Sequence, residues 1–237
     1  MPQGTRDITA RHKHDVVVLV LLVPTIHSSC INTMEVITFA LHPNRKLNII
    51  YIQNIADAPA KTSEIYLKDN RFALLNPRKL LSAEQDSPRA LINEIGAAAN
   101  VALLRGIRRK NNKTAAVLDT IVCIAGTSNS NVALRDYGFG INYSGHATTD
   151  GSNNCVDTAS NAILLGFDSN RNEMEEVIKR LNVTEDVLSF SSVPFAHADK
   201  DKYVQDMIKS YKLTKEEVNA FGLEESVLMR IATKFVI

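Results

Sequence analysis

The stretch EVITFALHPNRKLNIIYIQNI, residues 35–55, decides the fold class. Branched and aromatic side chains dominate on either side of His42-Pro43-Asn44. EVITFAL and KLNIIYIQNI therefore read as two β-strands, broken at that triplet. Further along the chain, RFALLNP (71–77) reads as a short strand stopped by Pro77, and NAILLGF (161–167) as a buried strand. DTIVCIAG (119–126) has the same apolar, branched character and reads as a buried central strand.

Helical patterns lie between these runs. DAPAKTSEIYLKDN (57–70) reads as a helix. Ser87-Pro88 supplies a capping hydroxyl and a first-turn proline for a longer one. That helix runs to about Leu104, with Leu91, Ile92, Ile95, Val101 and Leu104 on its inner face. Ser130 is placed to cap the short helix NVALRDY, and Gly138 suits a left-handed residue after its end. NEMEEVIKRL (172–181), DKYVQDMIKSY (201–211) and the last segment are amphipathic helices. The Gly-, Ser- and Asn-rich residues at about 140–158 read as a long surface loop. The expectation is an α/β chain of the α+β type, with no internal repeat and no second core.

Composition narrows the function. The 237 residues are 45% hydrophobic and 22% charged, as in an ordinary globular protein. A net charge of +1 argues against a basic coat over the whole surface but leaves room for a local patch. With no Trp and few aromatics, base stacking would rest on a handful of Tyr and Phe. Cys30, Cys123 and Cys155 are odd in number and widely spaced, which fits neither a disulfide framework nor a zinc site. Reduced thiols in the cytoplasm or nucleus are the simpler reading. The apolar run from Val16 to Pro24 falls far short of the ~20 residues that span a bilayer. Residues 1–33 read as an N-terminal extension, a strand or disordered, before a domain at 34–237.

No catalytic constellation emerges. Gly138-Phe139-Gly140 is not a dinucleotide fingerprint, and no P-loop is present. His12 and His14 with Asp15 lack further ligands at metal spacing. Ser144-Gly145-His146 lacks the strand–turn–helix setting of a nucleophile elbow. Cys123, inside an apolar run, reads as an inert core thiol. Neither a catalytic residue nor a metal or cofactor is expected.

Two features point to binding. Arg105, Arg108, Arg109, Lys110 and Lys113 fall within nine residues at the end of the long helix. That exceeds what one helix cap needs and suits RNA phosphates. In the last segment Leu223, Val227 and Ile231 share one line of a helix, with Leu228, Ala232 and Phe235 beside it. Ser226, Arg230 and Lys234 face the other way. Part of this wide stripe is expected to close the core and part to dock on another protein.

The order of these pieces resembles one family. A strand and Pro77 precede a long helix, a basic turn and DTIVCIAG; TSNSNVALRDYGF follows, and the chain closes on YKLTKEE and LEESVLMRIATKFVI. From about Met34 to Ile237 this is similar to the PRPK-binding protein (TPRKB) family, the small subunit of the KEOPS/EKC complex. The most specific pieces are Tyr211-Lys212-Leu213 and Leu223 with Val227, Leu228, Arg230, Ile231 and Ala232. Three departures stand out: Lys113-Thr114 where the family usually has Thr-Arg, a longer glycine-rich loop, and residues 1–33 before the usual start.

The resemblance implies a small, mainly antiparallel sheet covered by helices and a non-catalytic role in cytoplasm and nucleus. Leu223, Val227, Leu228, Arg230, Ile231 and Phe235 would bind the small lobe of the complex's atypical kinase/ATPase. Arg105, Arg108, Arg109, Lys110 and Lys113 would contact tRNA, possibly at its 3′ CCA end, with the other KEOPS subunits as indirect partners. The complex installs threonylcarbamoyl on the adenosine beside the anticodon. Two other readings stand beside this one. The basic turn at 105–113 could serve a stand-alone single-strand RNA-binding protein. A small hydrolase could be built on Cys123 or on Ser144 and His146.

Overall fold

A computed structural model describes residues 25–27, 34–55, 69–77, 80–81, 89–108, 116–138, 160–181, 187–188 and 200–234. Its strands are β1 (Thr25–His27), β2 (Met34–Phe39), β3 (His42–Ile55), β4 (Phe72–Leu75), β5 (Ser160–Phe167) and β6 (Val187–Leu188). Its helices are α1 (Arg89–Arg108), α2 (Ala116–Ala125), α3 (Ser130–Tyr137), α4 (Arg171–Arg180), α5 (Lys200–Tyr211), α6 (Lys215–Phe221) and α7 (Leu223–Lys234). This is an α+β arrangement, and every described strand pairing is antiparallel. Among the described residues no helix is long and apolar enough to cross a membrane.

The sheet runs in the order β1-β2-β3-β5-β4. β2 pairs with β3 from Met34 opposite Ile50, and β6 takes up Tyr51 and Ile52 beyond the end of β2. β5 fills the other edge of β3, Leu47 opposite Phe167. β1 extends the sheet, so three residues of the expected extension 1–33 are a strand.

Alternation along these strands separates two cores. Ile37, Phe39, Leu47, Ile49, Tyr51, Ile163, Leu165 and Phe167 point to one face, where the rings of Phe39 and Phe167 stack 6.3 Å apart. α1, α2, α3, α5 and α7 cover that face. Ile50, Ile52, Phe72, Leu74 and Leu164 point to the other, where Met174, Val177 and Ile178 of α4 cover them. The turn from β5 into α4 is pinned to β3. Asn48 Nδ2 donates to the Ser169 carbonyl at 2.6 Å and to its hydroxyl at 3.0 Å. The Asn170 side chain then accepts from the Glu173 N–H at 3.0 Å, and Glu173 accepts from the Asn170 N–H at 2.7 Å, a reciprocal cap.

One expectation about the sheet is overturned. DTIVCIAG is not a central strand; it lies in α2, against α1 and α3. Val117, Ile121 and Ile124, spaced as i, i+4 and i+7, are buried, and so are Val122 and Cys123. A helix buried on nearly every side is apolar on nearly every side, so its run looks like that of a buried strand. Packing decides against the strand preference of its branched residues. Thr120 fits the helix by donating its hydroxyl to the Ala116 carbonyl at 2.8 Å.

The short helix α3 also begins and ends differently from expectation. Asn129, not Ser130, caps it, accepting from the Asn131 N–H at 3.0 Å. Gly138 is extended, at φ −72°, rather than left-handed. A Cβ there would stand 2.5 Å from the Leu134 carbonyl oxygen, so glycine is needed for close approach instead of handedness. The helix expected at 57–70 falls almost wholly outside the described residues, and the 140–158 loop and Val16–Pro24 lie outside them entirely.

Candidate partner-docking site

The last two helices form an angled pair held by short-range chemistry. Thr214 caps α6: its hydroxyl accepts from the Glu217 N–H at 3.1 Å, while Glu217 accepts from the Thr214 N–H at 2.7 Å. Gly222, at φ +83°, makes the sharp turn between α6 and α7, a conformation that L side chains rarely adopt. Arg230 of α7 reaches back to Glu217 with contacts of 2.8 and 2.9 Å. The Thr214 N–H and the Arg230 guanidinium hold the Glu217 carboxyl below its usual range.

α7 lies across α1. Val227 and Ile231 are buried in the main core, and Ala232 is nearly so. Asn93 of α1 donates to Glu224 of α7 at 2.9 Å. Leu223 and Leu228 pack on the same core but are only partly buried. Glu225 and Thr233 are exposed. Of the stripe's line Leu223-Val227-Ile231, Val227 and Ile231 are inside, while Leu223 stays at the margin together with Leu228.

The polar side of that stripe needs correction. Ser226 does not face solvent; it is 2% exposed, its hydroxyl donating to the Gly222 carbonyl at 2.6 Å and the Glu217 carbonyl at 3.2 Å. Arg230 is half-buried in its ion pair. The reason is α6, which folds back against this side of α7. Phe235 lies outside the described residues.

Sequence reasoning missed Phe221. It ends α6 next to Gly222 and is 52% exposed, one of two large apolar side chains so exposed among the described residues. As part of an amphipathic segment it offered no distinguishing signal. No residue of α6 is buried, and Phe221, its last, stands in solvent.

The basic turn is described in part. Arg105 is partly buried and donates to the Cys123 sulfur of α2 at 3.7 Å. Arg108 is the last residue of α1. Arg109, Lys110 and Lys113 lie outside the described residues, as do His12, His14, Asp15, Ser144 and His146. Cys123 is 1% exposed. Among the described residues no group of His, Cys, Asp and Glu is arranged to hold a metal. At 1.5 Å per residue, Asn93 and Arg108 are about 22 Å apart along α1. The Asn93–Glu224 contact and Arg108 therefore sit near opposite ends of α1. No protein-family model matches the chain, and no curated protein sequence matches it.

Proposed function

We propose that this chain is a non-catalytic docking subunit of a KEOPS/EKC-type complex. It binds the small lobe of the atypical kinase/ATPase through α6 and α7 and helps to bring tRNA through the basic end of α1. The observation that carries the reading is the division of the last helix. Val227 and Ile231 lock it into the core, while Leu228 is only partly buried and Phe221, at the end of α6, stands in water. Surface of this kind has reason to persist where a partner covers it. The motif order described above supports the choice of partner, and cytoplasm and nucleus follow as its location.

Titration with the purified kinase tests this. Burying one such side chain is worth about 1.5–3 kcal/mol, so Leu228→Glu should weaken binding by roughly one to two orders of magnitude. Its melting temperature should fall much less than that of Ile231→Asp, because Leu228 is only partly buried on the core. Wild-type affinity in Leu228→Glu would remove this helix as the docking surface.

The basic end makes a separate prediction. Replacing Arg108, Arg109 and Lys110 with Ala should weaken tRNA binding and flatten its salt dependence by up to about three charges of slope. Folding should be nearly unaffected, which a thermal melt of the triple variant checks. Unchanged tRNA binding would reduce these residues to a helix cap. Salt-sensitive RNA binding by a chain that ignores the kinase would instead favour a stand-alone RNA-binding protein.

A further inference from the structure

Glu94 is a carboxyl group with no solvent exposure, in the middle of the helical layer. It sits on α1, one residue from the Asn93–Glu224 contact with α7. Its two oxygens accept from the Leu81 N–H and from the Tyr211 hydroxyl at the end of α5. Tyr137 of α3 and Tyr203 of α5 stand near Tyr211, and Tyr203 donates to the Leu80 carbonyl at 3.5 Å. Asp136 acts on Tyr137 from α3, and α7 brings Glu224. No ion pair involves Glu94 among the described residues.

We propose that Glu94 and Tyr211 form a proton-operated latch that seats the last three helices on α1. The latch is tight when Glu94 carries a proton and looser when it is ionised. Tyr211 is where it acts on the chain. Immediately after it, Lys212 adopts φ 54° and the Leu213 N–H bonds back to the Ile208 carbonyl, and α6 and α7 follow. Met207, Tyr211 and Leu213 share the core with Val227 and Ile231, so displacing Tyr211 disturbs the seat of all three helices.

The chemistry places the switch near neutral pH. Burial pushes the Glu94 carboxyl up to about 7, although the bonds from Tyr211 and Leu81 pull the other way. Burial and the neighbouring Glu94 push Tyr137 up to about 12, and burial drives Tyr211 well up too, so both phenols remain proton donors. A carboxyl raised in the folded state binds its proton more tightly there than in the open state. Its stabilisation is complete below the ordinary value of 4.5, falls as pH rises, and is lost above about 7. Asp69, Glu173 and Glu217, held below their usual range by hydrogen bonds, act in the opposite sense and at lower pH.

This inference goes beyond the docking reading and needs no partner to test. Hydrogen exchange of the isolated chain, corrected for intrinsic rates, reads the opening of residues 200–234. With these values, opening should become roughly tenfold more frequent between about pH 6 and about pH 8. β3 and β5 should not share that opening. Glu94→Gln, neutral throughout, should abolish the change. Tyr211→Phe, which removes a donor to the ionised form, should move it to higher pH. Carbon-13 titration of the Glu94 carboxyl in the wild-type chain decides the matter even if a variant fails to fold. A midpoint in the ordinary carboxylate range, an unchanged pH response in Glu94→Gln, or opening shared with β3 and β5 would overturn the latch.

Discussion

Ile231→Asp should unfold the protein, or leave it folded only well below its normal melting temperature. Ile231 is 1% exposed and packs with Val227 in the main core beneath α1. Losing its burial costs about 1.5–3 kcal/mol. The carboxylate that replaces it must be buried unpaired, neutralised, or released by moving α7 away, which costs a few kcal/mol more. The sum, about 4 kcal/mol or more, is a large part of the 5–15 kcal/mol that ordinarily separates folded from unfolded chains. In a chain of this size it should lower the melting temperature by about 10 °C or more. Circular dichroism melts of Ile231→Asp and Leu228→Glu, side by side, separate core from surface on neighbouring turns of one helix. A melt of Ile231→Asp within a few degrees of wild type would mean that α7 is not part of the core.

Gly166→Val tests the opposite face of the sheet. Gly166 lies in β5, between Asn48 of β3 and Phe72 of β4. A Cβ added there would stand 2.4 Å from the Met174 sulfur, 2.6 Å from the Ser169 hydroxyl oxygen and 3.0 Å from the Phe72 ring. Met174 can swing aside. Ser169 has less freedom, because Asn48 donates to its hydroxyl and the hydroxyl donates to the Gly166 carbonyl at 3.2 Å. Valine adds two further methyl groups and should lift α4, at a cost of about 3 kcal/mol. Urea unfolding measures the loss. Gly166→Ala should lose less, and in a cycle with Met174→Ala the two losses should be less than additive, because both act on the same contact. Wild-type stability in Gly166→Val would show that α4 does not sit tightly on this face.

Much of the fold was legible because period and packing agreed. β2, β3, β4 and β5 carry branched and aromatic runs, and the strands between the two helical layers are buried on both faces. Such strands read as continuous apolar segments. α4 shows one apolar side, where Met174, Val177 and Ile178 are buried. The apolar line Leu223-Val227-Ile231 was visible in the same way, and two of its three members are fully buried. α2 was not legible as a helix. A run such as TIVCIA carries no polar side to reveal its period when neighbours enclose it all round.

What the sequence determined by itself was local: which segments are apolar on one side and which stretch gathers positive charge, whereas the ends of α3 were set by Asn129 and by the close approach at Gly138. The apolar sides and the charge follow from side chains a few residues apart, and the spacing alone exposes them. The tertiary structure decided what depends on distant partners. It placed β5 beside β3 across more than a hundred residues and folded α6 over Ser226. It left Phe221 in water at the Gly222 turn and brought Tyr211 to Glu94. A buried carboxyl and an exposed phenylalanine each run against the preference of their residue type, and only the neighbours that packing supplies can reverse such a preference.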